Sequence, residues 1–182
     1  MPIYISMLRG INVGGHHRIK MDQLRTSLEA LGLAQVKTYI QSGNVVFKAA
    51  KISPAALSKK IENQILAQFG FSVSVISRTA EEIAATIENN PLLNQRGIDQ
   101  EKLHVAFLSE VAASPALQKL ADLTLAPDRS RALGKEIYLY FPNGVSNSSL
   151  WKHPLDRVLS VVTTTRNWKT VRTLNQMCLD CH

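Results

Sequence analysis

The chain has 182 residues, 45% of them hydrophobic and 19% charged, with a formal net charge of +7. That composition excludes a disordered chain, and the length suffices to bury a core without disulfides or structural metal. No apolar run approaches the roughly 20 residues of a membrane span, and the opening MPIYISMLRG lacks the zones of a secretory signal, so no membrane partner and a cytoplasmic location are expected.

In chain order, Ile3 to Leu8 is an apolar run and a strand candidate, followed by the glycine-rich loop Gly10-Ile11-Asn12-Val13-Gly14-Gly15. Met21, Leu24, Leu28 and Leu31 recur at the spacing of one helix face, and Gly32 stops that helix. Val36 to Ile40 and Val45 to Phe47 read as strands joined by the turn Gln41-Ser42-Gly43-Asn44. Ser53-Pro54 opens a second helix whose stripe is Leu57, Ile61, Ile65 and Phe69, and Gly70 ends it. Phe71 to Ile76 alternates as a half-buried strand. Residues 1–78 thus predict a ferredoxin-like βαββαβ subdomain.

Thr79 and Glu82 have the spacing of a capping box for a helix reaching Asn89. Leu103 to Phe107 alternates as a strand, Pro115 to Leu123 is helical, and Gly134-Lys135 joins two further strands. Helices near Ser149 to Leu159 and from Trp168 to Leu179, the latter capped by Asn167, complete the chain. Residues 79–182 therefore predict a second subdomain, a βαββα variant followed by a C-terminal helix. The fold class expected is α+β, two small subdomains.

The βαββαβ order places the first and third strands side by side and antiparallel. The loop from Arg9 to Ile19 and the turn from Gln41 to Asn44 then share one rim. It gathers Arg9, Asn12, Gly14, Gly15, Ser42, Gly43 and Asn44. Glycines allow close approach of backbone N–H groups, Arg9 offers a forked donor, and the helix starting near Lys20 adds a positive dipole end. A small phosphate- or carboxylate-bearing ligand is the expectation. Glycine and asparagine also serve ordinary turns, so the same residues fit a rim that merely connects.

The stretch YISMLRGINVGGHHRIKMDQLRTSLEALGLAQVKTYIQSGNVVF over residues 4–47, with the later TTRNWKTVRTL ending at Leu174, resembles the domain-of-unknown-function 1697 family. The resemblance covers essentially the whole chain. It implies a two-part α+β fold with a ferredoxin-like N-terminal part and no assigned activity. The residues carrying it are Arg9, Gly10, Asn12, Gly15, Ser42, Gly43, Asn44, Arg166 and Asn167. Arg166 and Asn167 join the expected ligand-binding set on the hypothesis that they fold back onto the rim; the alternative is that the pair does nothing beyond capping the last helix.

Other chemistries find little support. The glycine loop is neither G-x-G-x-x-G nor a P-loop, and no nucleophile elbow, zincin motif or recognisable catalytic constellation appears, so no catalytic residue is assigned. His16 and His17, adjacent in an extended segment, point apart and are expected at the surface. Cys178-Leu179-Asp180-Cys181-His182 matches C-x-x-C-H, but Cys178 continues the stripe of Trp168, Val171 and Leu174, which reads as a core thiol; Cys181 and His182 read as a frayed end. No cofactor and no metal are expected.

Residues 1–91 hold 10 basic and 6 acidic side chains and residues 92–182 hold 11 and 8, so the positive excess is spread out. One concentration, Lys152, Arg157, Arg166, Lys169 and Arg172 with Trp151 and Trp168, keeps nucleic-acid backbone binding as an alternative that is not favoured. A stacking platform for RNA bases is missing, since Ser42 and Asn44 stand where its aromatics belong. An acyl-phosphate hydrolase using Arg9, Asn12 and Asn44 is a second alternative, by fold analogy alone.

Overall fold

The computed structural model describes residues 1–181. It divides into two compact units, Met1–Ala85 with the chain from Thr173 onward, and Thr86–Arg172. The division expected between residues 78 and 79 thus falls a few residues later, and the end of the chain belongs with the first unit.

The first unit contains β1 (Ile3–Leu8), α1 (Met21–Glu29), β2 (Ala34–Tyr39), β3 (Asn44–Lys48), α2 (Pro54–Phe69) and β4 (Val75–Thr79). Its sheet is antiparallel in the order β2-β3-β1-β4. Local chemistry explains the boundaries. The Ser53 hydroxyl accepts the Ala56 N–H at 3.2 Å, Pro54 opens α2, and Gly70 closes it at φ 77°. Leu24 and Leu28 of α1 and Leu57, Ile61 and Ile65 of α2 pack on Tyr4, Val45 and Phe47 of the sheet. Each such side chain, fully buried, contributes roughly 1.5–3 kcal/mol.

The next helix, α3 (Ala80–Glu88), starts with the expected capping box: Thr79 Oγ1 accepts the Glu82 N–H at 3.2 Å, and Glu82 Oε2 accepts the Thr79 N–H at 2.9 Å. The second unit then holds β5 (Leu103–Leu108), α4 (Ser114–Leu123), β6 (Arg129–Leu133), β7 (Glu136–Tyr140), α5 (Leu155–Leu159) and β8 (Thr163–Asn167). Its antiparallel order, β6-β7-β5-β8, repeats that of the first sheet. The expected βαββα succession therefore gains a final strand. β8 carries three threonines, whose branched side chains favour strands without an apolar alternation to announce them.

The helix expected from Ser149 to Leu159 is broken into a 3-10 turn at Leu150–Lys152 and the short α5. Pro154 lies at the break, where it cannot donate a backbone hydrogen bond. Ala106, Leu108, Ile137 and Leu139 form the sheet side of this unit's core, against Leu120 of α4 and Leu155, Val158 and Leu159 of α5. The final helix, α6 (Trp168–Leu179), begins in the second unit and ends in the first.

Tyr138 is buried and donates to the Thr86 carbonyl at 2.9 Å. Burial, reinforced by Glu136, pushes its phenol up to about 12 from an ordinary 10.0. The folded chain holds the proton more tightly than the unfolded one, so this contribution is complete below pH 10 and disappears as pH rises toward 12. Tyr138→Phe is expected to cost about 1 kcal/mol near neutral pH. Urea unfolding at a series of pH values checks both points, with the variant's loss of stability above pH 10 shallower than the parent's.

Candidate functional site

The register of β1 against β3 pairs Met7 with Asn44 and Ser6 with Val45, so the end of β1 lies beside the start of β3. The Leu8 N–H donates to the Gly43 carbonyl at 2.8 Å. The glycine-rich loop and the β2–β3 turn are therefore neighbours, as the topology requires. At Gly43 an added Cβ would lie 2.7 Å from Ile11 Cδ1 and 2.9 Å from Leu8 Cβ, at φ 82°. Only glycine allows this approach.

Asn12 joins the two segments. Its Nδ2 donates to the carbonyls of Ile19 and Gln41, both at 2.9 Å, and its Oδ1 accepts the Ile19 N–H at 2.9 Å. One side chain thus closes the loop on itself and ties it to the turn, from a backbone at φ 56° that asparagine tolerates. Both amide hydrogens are engaged in that task. Asn44 is fully buried, and its Nδ2 donates to the Tyr39 carbonyl at 3.1 Å and to Ser42 Oγ at 3.0 Å. The two asparagines and Ser42 shape the rim.

The open space lies on one side of it. A cleft of about 650 Å³ is bounded by Asn12, Gly15, Arg18, Lys20, Gln41 and the first turn of α1. Ile19 between the two cations is 2% exposed and anchors the segment in the core, leaving Arg18 and Lys20 exposed on either side. Lys20 is the N-cap of α1 and no side chain caps that helix. Its first-turn N–H groups carry the positive end of the helix dipole. Asp22 is the acidic residue of that turn, and it pairs with Arg25 at 3.1 Å. Arg18 and Lys20 are cations that the sequence reading did not select. The signal available was their position on either side of a lone apolar residue just before a helix start.

Of the other expected rim residues, Gly14 is exposed at φ 59° and Gly15 at φ 78°. Arg9 is exposed, and its backbone N–H donates to the Ser74 carbonyl at 2.9 Å. His16 and His17 are exposed as expected, and the His17 ring stacks on Phe71 with centroids 4.5 Å apart. Tyr4 and Phe47, the aromatics of the central strands, are buried and unavailable to nucleic-acid bases.

Arg166 and Asn167 belong to the second unit, whereas the rim belongs to the first. Arg166 donates to Thr164 Oγ1 at 2.8 Å and to the Thr165 carbonyl at 3.0 Å. Burial holds its guanidinium down at about 10. Asn167 Oδ1 accepts the Thr170 N–H at 2.8 Å, so it caps α6. Lys152, Arg157, Lys169 and Arg172 are exposed. Trp168 is 2% exposed, and Trp151, 44% exposed, meets the Phe141 ring edge-on. Cys178 and Cys181 are both buried, so the expected frayed end at Cys181 is corrected: its side chain is tucked into the interior. His182 lies outside the described residues. Among the described residues no helix is long and apolar enough to cross a membrane, and no group of three His, Cys, Asp or Glu side chains is placed to hold a metal ion.

The family model described as a protein of unknown function, DUF1697, matches residues 1–138. The chain belongs to this family. This DUF1697 member is also similar to a solved structure, that of the conserved bacterial protein SP0830 from Streptococcus pneumoniae. Identity is 28%, with a TM-score of 0.73 over 97% of this chain and 98% of that one. No curated protein matches the DUF1697 chain. The family match covers the rim, the cleft, the first six strands and the start of β7.

Proposed function

We propose that this DUF1697 member binds a small phosphate- or carboxylate-bearing ligand in the cleft beside the glycine-rich loop of its ferredoxin-like first unit. The observation that carries this reading is the pairing of Arg18 and Lys20 around the uncapped start of α1, with open space of about 650 Å³ in front of them. Two cations and a set of helix N–H groups recognise negative oxygen without regard to the rest of the ligand. Gly15 keeps that approach unobstructed, and Asn12 holds the wall in place. The anion-binding groups of the reading are thus Arg18, Lys20 and the helix start, with the asparagines as framework. Binding, rather than catalysis, is the role proposed, because none of these groups is a poised base or nucleophile.

Inorganic phosphate tests it in thermal unfolding at constant ionic strength, with chloride as the control. A ligand at ten times its Kd stabilises by about 1.4 kcal/mol, enough to raise Tm measurably. The parent is expected to gain this shift and Arg18→Ala/Lys20→Ala to lose it. Absence of a phosphate-specific shift in the parent, or an equal shift in both proteins, rejects the reading.

A further inference from the structure

Cys178 and Cys181 lie three residues apart at the end of α6, in the part of the chain that belongs to the first unit. They are 2% and 3% exposed, and both are free thiols. The Cys181 N–H donates to the Cys178 carbonyl at 3.1 Å. Such a turn brings its end Cα atoms within about 7 Å, which overlaps the roughly 4.4–6.8 Å that a disulfide spans. Residues three apart at a helix end share a face. Both thiols therefore sit on the inward side of one turn. Cys178 also lines a cleft of about 430 Å³ with Lys48, Glu81 and Asn175.

We propose that Cys178 and Cys181 form a reversible intramolecular disulfide that latches the end of α6, made by exchange with a low-molecular-weight disulfide. The Cys178 thiol loses its proton to solvent and attacks one sulfur of oxidised glutathione, expelling one glutathione thiolate. The Cys181 thiol, deprotonated in turn, attacks Cys178 Sγ in the mixed disulfide and expels the second. Two electrons pass from the protein to glutathione, and the two released protons end on the two glutathione thiolates. Thioredoxin-type pairs sit at a helix N-terminus, where the dipole stabilises thiolate and makes the disulfide oxidising. This pair sits at the opposite end. Burial, with Cys181 and Glu81 nearby, pushes the Cys178 thiol up to about 12. Thiolate is thus disfavoured, and the disulfide, once made, resists reduction. It is a latch rather than an electron donor–acceptor.

The test equilibrates the folded full chain with oxidised glutathione, quenches with acid, and alkylates under denaturing conditions. Expected are no alkylated thiols, a mass lower by two hydrogens confined to the segment after Arg172, and recovery of both thiols with dithiothreitol. Cys181→Ser is expected to stop at a glutathione adduct on Cys178. The oxidised parent is expected to melt above the reduced parent, a comparison that needs no variant. Two alkylatable thiols after equilibration, or disulfide-linked dimers in place of the internal bond, overturn the pairing. An unchanged Tm overturns the latch.

Discussion

Replacing Gly43 by alanine is expected to destabilise the protein by about 3 kcal/mol. Two costs combine. The left-handed backbone at φ 82° costs an L-residue roughly 1–2 kcal/mol, and forcing a methyl group into occupied space costs roughly 1–3 more. The atoms it meets are 2.7 Å away on Ile11 and 2.9 Å away on Leu8. Leu8 Cβ is fixed by the backbone of β1, so rotating a side chain does not relieve that contact. Gly32 supplies the control, because its φ is 81° but no atom lies within 4 Å of an added Cβ. Gly32→Ala should therefore cost only the conformational share, about 1 kcal/mol. Urea unfolding of both variants separates the two terms, and equal losses would show that crowding at Gly43 is relieved by movement of β1.

Removing the Asn12 side chain is expected to cost about 2–3 kcal/mol. Alanine deletes three hydrogen bonds and leaves the Ile19 N–H, in a residue only 2% exposed, without its partner. It also occupies φ 56° less readily than asparagine. The effect should be local in exchange as well as global in stability. Hydrogen exchange of the Ile19 amide should accelerate far more than that of the β1 and β3 amides. Uniform acceleration would mean that Asn12 contributes to the whole unit rather than to this loop. Asn12→Asp keeps the acceptor and replaces the donating NH2 group by a carboxylate oxygen facing two carbonyls, so it should be no less disruptive.

These two positions show where sequence reading succeeded and where it stopped. The neighbourhood of Gly43 and the glycine loop followed from strand order, since antiparallel pairing of the first and third strands leaves no other placement. Caps at Ser53, Thr79 and Asn167 were legible because each acts on N–H groups within three residues. The employment of Asn12 was not, because one of its acceptors is 29 residues away and is a backbone carbonyl, which any residue supplies. Arg18 and Lys20 were passed over for Arg9 because strand-end logic points to the first residues of a loop, whereas the cleft opens at its last ones. β8 escaped notice because Thr163 to Thr165 carry no apolar alternation, though their branching suits a strand.

The excursion of α6 from one unit into the other has a consequence for biosynthesis. Leu174 and Cys178 are fully buried pieces of the first unit, yet every residue of the second is translated before them. A nascent chain can pair β1 to β4 early, but it exposes the apolar surface awaiting Leu174 until the whole second unit has been translated. Chain order thus makes the N-terminal unit the last to be completed, and chaperone protection during synthesis is expected to matter most on that surface.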